Sequence, residues 1–179
     1  MIPRREALER LSLLLGGALS TQVTAALMGQ VINGGASVAV TPEQTALLAE
    51  LADVIIPATD TPGAKEAGVE TFIVRVLRDC YPMEDQESFY AGIAGIDEAG
   101  RKAHGKAFVE LTPDQKNALV REAAEKNRSF FRRLREMVVT AYFISEVGAT
   151  QALEYLPVPG RFEGDVPLKP GQKAWAISR

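Results

Sequence analysis

The sequence predicts an all-α protein: a compact bundle of about five helices followed by an extended, Pro/Gly-rich C-terminal tail. Three observations carry this. Two four-residue helix starts, "TPEQ" at 41–44 and "TPDQ" at 112–115, place Thr at the N-cap, Pro in the first turn and Gln at the reciprocal capping-box position. Apolar residues recur at three- and four-residue intervals from residue 47 to residue 144. No segment alternates strand with helix in the way a parallel sheet requires.

The first helix opens at Thr41 and runs through Leu47, Leu48, Leu51, Val54 and Ile55 to a stop at Pro57. The loop "PATDTPGAKEAG" (57–68) follows. A second helix over 69–81 places Phe72, Ile73, Val76 and Leu77 on one face. Pro82 breaks the chain, and a third helix over 84–105 spaces Phe89, Ile93 and Ile96. Gly92, Gly95 and Gly100 each lower helix propensity there by about 1 kcal/mol relative to Ala, which close packing against a neighbour would offset. The fourth helix begins at Thr112. A last long helix spans 128–148, with Phe131, Leu134, Met137, Val138, Tyr142 and Ile144 as its buried side.

The segment before this body has a different character. Arg4 and Arg5 precede a mostly apolar stretch from Leu11 to Met28, and the small residues "GGASVAV" (34–40) follow. That layout is a secretory signal. Ser12, Ser20, Thr21, Gln22 and Thr24 dilute the apolar stretch below the roughly 20 apolar residues of a membrane span. A modest apolar core behind paired arginines is the pattern of twin-arginine export. Pro3 and Ala7 depart from the usual residues around the arginines. Targeting is assigned to Arg4, Arg5 and Leu8, with a cut after Ala39. Three regions result: a signal segment at 1–39, a helical domain at 40–148 and a docking tail at 149–179. The expected location is the periplasm, peripheral to the inner membrane through partner subunits.

Charge and residue types exclude much. Setting aside Arg4, Arg5, Arg10, Glu6 and Glu9 leaves 17 basic and 21 acidic residues of the chain's 20 and 23. This balance gives no electrostatic footprint for nucleic acid. His104 is the only histidine, so no His cluster can hold a metal, and its polar, Gly-bounded setting reads as surface. Neither glycine pair, Gly16 with Gly17 or Gly34 with Gly35, matches a phosphate-cradling loop. The paired carboxylates Glu84 with Asp85, and Asp97 with Glu98, read as solvated helix faces. No catalytic, cofactor or metal residue is assigned. Cys80 is the only cysteine; it is either a buried free thiol, the preferred reading, or an intermolecular bond. In the tail, Pro157, Pro159, Pro167 and Pro170 forbid a continuous helix, while its aromatics are too apolar for a free linker. It lies either on its own body or on a partner. Partner contact is assigned to Tyr155, Pro159, Arg161, Phe162 and Trp175.

Five ordered pieces of the sequence resemble the gluconate 2-dehydrogenase subunit 3 family: "ADVIIPATDTPGAKEAGV" (52–69), "DCYP" (79–82), Phe130 with Phe131, "YFISEVGATQALEYLPVPG" (142–160) and "KAWA" (173–176). The resemblance implies a small, cofactor-free subunit of FAD-dependent sugar and polyol dehydrogenases. In such complexes a large subunit carries the flavin, and a c-type cytochrome passes electrons onward, so FAD and haem or iron–sulfur centres belong to partners. It also implies a role in maturing the flavoprotein and exporting it with the twin-arginine machinery. Two rivals are a self-associating periplasmic structural protein and a stand-alone hydrolase using His104.

Overall fold

The computed structural model describes residues 37–155, 167 and 170–175. Five α-helices run in order: α1 Pro42–Ile55, α2 Val69–Cys80, α3 Met83–His104, α4 Pro113–Lys126 and α5 Arg128–Ile144. A 3₁₀ turn, Phe108–Glu110, lies between α3 and α4, and a π-helical turn, Gly148–Ala152, follows α5. No helix among the described residues is long and apolar enough to cross a membrane.

Both Thr-Pro starts form the full capping box. Thr41 Oγ1 accepts the Gln44 N–H at 3.2 Å, and Gln44 Oε1 accepts the Thr41 N–H at 3.0 Å. Thr112 and Gln115 repeat the exchange at 3.4 and 3.1 Å. Orphan amides of the first turn are thereby satisfied within four residues of sequence.

Helix α1 is the hub. It packs against α2, α3, α4, α5 and the 3₁₀ turn. Its Leu48, Leu51 and Ala52 are fully buried because they meet neighbours on several sides. The core they centre also takes Ile73 and Leu77 of α2, Phe89 and Ile93 of α3, Phe108 of the 3₁₀ turn, and Leu134, Val138 and Tyr142 of α5.

Two loops are held by specific polar groups. Tyr142, only 2% exposed, donates its hydroxyl to the Pro62 carbonyl at 2.7 Å and fixes the loop between α1 and α2 on the body. Gly63 in that loop sits so close to the chain that a Cβ there would lie 2.7 Å from the Ala58 nitrogen. Asp97 accepts the Phe108 N–H at 2.7 Å while pairing with Arg101 at 2.8 Å. The carboxylate therefore docks the 3₁₀ turn and seats Phe108; it does more than decorate a solvated face, the role expected of it.

Of the three α3 glycines, Gly92 is the one in closest packing: an added Cβ would come within 2.4 Å of the Phe130 ring. At Gly100 the Leu111 side chain lies 3.2 Å from that position, whereas Gly95 faces open space.

Helix α5 closes at Ile144, four residues earlier than the spacing predicts. Ser145 accounts for the break: its hydroxyl donates to the Tyr142 carbonyl at 2.6 Å and accepts the Gly148 N–H at 3.0 Å. Gly148 then packs so tightly that a Cβ would fall 1.9 Å from the Tyr142 carbonyl oxygen. Beyond the π turn, Glu154 forms a parallel bridge with Trp175, and its N–H donates to the Ala174 carbonyl at 2.8 Å. The Lys173 ammonium donates to the Gln151 carbonyl. This part of the tail returns to its own chain.

Candidate docking surface

Helices α2 and α5 lie side by side, and the groove between them has a volume of about 230 Å³. Helix α2 starts after Gly68, whose φ of 65° suits a residue without a Cβ. From that start Val69, Ile73 and Leu77 turn inward. Phe72 and Val76, one position earlier in each turn, are left to line the groove. On α5, Arg133, Glu136, Met137 and Thr140 form the opposite wall, and Tyr81 at the end of α2 completes the lining.

Three- and four-residue steps from Glu136 and Thr140 continue this wall to Phe143 and Ile144. Phe143 is 40% exposed and Ile144 58% exposed. Phe72 and Val139 are also exposed. The result is a half-apolar face bearing three aromatic rings, Phe72, Tyr81 and Phe143. Phe143 is braced by an edge contact with the buried Tyr142 ring, centroids 5.2 Å apart. At the other end, the Arg133 guanidinium lies 5.9 Å from the Tyr81 ring centroid and donates to Asp85 at 3.0 Å.

These placements correct three expectations. Phe72 is expected on one face with Ile73, Val76 and Leu77, but that face divides: Ile73 and Leu77 are buried and Phe72 is exposed at its edge. Ile144 was assigned to the buried side of α5 and is exposed, while Ala141 and Tyr142 of the same turn are buried. Cys80 was preferred as a buried thiol and is exposed at the last turn of α2, next to Tyr81. The sequence reading missed the groove because its walls come from helices more than 50 residues apart. The available signal was the breadth of the apolar arcs on 69–80 and 128–144.

Of the tail residues assigned to partner contact, Tyr155 and Trp175 are described, and both are exposed. The pairing of Glu154 with Trp175 brings the two together. Pro159, Arg161 and Phe162 lie outside the described residues, as do the targeting residues Arg4, Arg5 and Leu8.

His104 ends α3 in an exposed position, its Nδ1 3.4 Å from the Gln115 side-chain nitrogen. Among the described residues no cluster of three or more His, Cys, Asp or Glu is placed to hold a metal. Two further grooves, one by Asp85 and Asn127 and one between α3 and α4, measure about 200 and 260 Å³. All three are smaller than the ~300–1,000 Å³ typical of sites that engulf a drug-sized ligand.

A charged triad links α1, α4 and the loop after α1. Glu50 of α1 bridges the Lys116 ammonium of α4, at 2.6 Å, and that of Lys65 in the loop. Burial pushes the Glu50 carboxyl up, but the two ammonium groups outweigh it and leave the group below its usual value. Lys116 also lies 5.9 Å from the Phe108 ring centroid.

Fold and surface together define a small helical bundle with one broad, half-apolar face. The chain belongs to the gluconate 2-dehydrogenase subunit 3 family, whose sequence model matches residues 42–160. The match takes in all five helices and the π turn; the "KAWA" piece of the resemblance lies beyond it. No curated protein and no solved structure gives a significant match.

Proposed function

We propose that this chain is the non-catalytic small subunit of a periplasmic FAD-dependent sugar or alcohol dehydrogenase, and that it assists the maturation and twin-arginine export of the flavoprotein subunit. The observation that carries this reading is the family match over residues 42–160, whose description is that of a subunit of gluconate 2-dehydrogenase. Substrate oxidation takes place at the partner's flavin, and a c-type cytochrome subunit receives the electrons. This chain contributes a surface and an address.

The surface is the α2/α5 face. A partner that covers Phe72, Phe143 and Ile144 removes apolar area from water at roughly 25 cal/mol per Å². Aromatic anchors of this kind commonly dominate interface energies. The address is the leader with Arg4 and Arg5. An export route that passes folded proteins suits a flavoprotein that must bind its cofactor before it crosses.

Co-expression with the flavoprotein subunit tests the surface. Phe72→Asp combined with Phe143→Asp is expected to cut co-purification at least about tenfold, since each substitution places a charge in a desolvated contact. The melting temperature of the isolated chain is expected to stay within a few degrees, because both side chains are already exposed. Undiminished co-purification would move the docking surface elsewhere.

A further inference from the structure

Gln86 is 3% exposed and is the buried polar residue of the core among the described residues. Both ends of its side-chain amide are hydrogen-bonded. Oε1 accepts the Val38 N–H at 3.1 Å, and Nε2 donates to the Tyr81 carbonyl at 2.8 Å. Its own backbone N–H donates to the Pro82 carbonyl at 3.1 Å. One amide therefore ties three segments together: the strand of chain entering α1, the turn between α2 and α3, and α3 itself. Val38 and Val40 pack against the core on either side of the exposed Ala39. Thr41, next in line, is committed to its capping box with Gln44.

We infer that proteolytic removal of the N-terminal segment stops before Val38, because the peptide bonds 38–39 and 39–40 are part of the folded body and Gln86 holds them there. This rests on the reading of residues 1–39 as an export leader. It places the cut at a different position from the Ala39 site that small-residue spacing suggests. A peptidase hydrolyses a bond, with one water consumed, only after drawing several residues on each side into its cleft as extended, free backbone. Around the 39–40 bond that stretch includes Val38, whose N–H is bonded to Gln86, and Thr41, whose N–H is bonded to Gln44. A chain that folds before export presents this bond already protected. The mature protein consequently begins at or before Val38 and keeps its strap.

The test uses purified full-length protein and pancreatic elastase, which cuts after small residues, with intact-mass analysis of the limit product. The expected product begins at or before Val38. Two variants release the strap by different means: Val38→Pro removes the donated N–H without altering the core amide, and Gln86→Ala removes the acceptor. Both are checked for helical circular dichroism. In Val38→Pro, cleavage of the 39–40 bond is expected to become at least about tenfold faster, as local opening of the strap no longer breaks the part-buried hydrogen bond to Gln86; Gln86→Ala should behave alike if it folds. A wild-type product beginning at Val40 overturns the inference, and so does a folded Val38→Pro variant as resistant as the wild type. A chain that stays in the cytoplasm with its leader intact would count against the export reading alone.

Discussion

Tyr142 shows how much one side chain can fix. Its ring fills the core while its hydroxyl spans 80 positions of sequence to the Pro62 carbonyl. Tyr142→Phe keeps the ring and loses the bond, with an expected cost of about 1 kcal/mol in urea unfolding. A near-zero change would mean that water satisfies Pro62 equally well. Glu50 makes a charge-dependent prediction. Its folded carboxyl lies below the ordinary value of 4.5, so the ionised form is favoured by folding. That contribution is present above about pH 4.5 and is lost as pH falls through the lowered folded value. The wild type is therefore expected to lose stability more steeply between pH 5 and 3 than Glu50→Gln. Parallel pH profiles of the two would show that the Lys116 and Lys65 bridges contribute nothing. Neither Tyr142's long-range bond nor Glu50's partners could be read from sequence, since both depend on elements that meet only after folding.

At the scale of the element, legibility follows how local the cause is. The starts of α1 and α4 were readable because a capping box is complete within four residues. Thr112→Ala is expected to cost about 1 kcal/mol by urea unfolding, with loss concentrated in α4 amide protection. An unchanged midpoint would mean that tertiary packing alone sets that helix start. The end of α5 was less legible. Apolar spacing continues past Ile144, but the Ser145 hydroxyl redirects the backbone into the π turn. Exposure was the least legible property. Phe72, Ile144 and Cys80 have the residue types of a core, yet whether each is covered depends on where the neighbouring helix ends. The same arcs that misled the reading of burial now outline the face assigned to docking.

For the whole molecule, the helical class was evident from period and caps, and the family from ordered pieces spread over the body. The structure adds an arrangement: a hub helix, a polar clamp where the chain enters it, and a broad face between α2 and α5 on which Phe72, Phe143 and Ile144 are exposed. A body of this kind holds its shape while offering surface to something larger. We propose that this larger partner is a flavoprotein. The most direct measurement is affinity capture of C-terminally tagged protein from its native host, with an absorbance spectrum and mass spectrometry of the eluate. The expected result is a yellow, stoichiometric complex with a large oxidoreductase, and retention of both chains in the cytoplasm when Arg4 and Arg5 are changed to Lys. A colourless eluate holding this chain alone would contradict it.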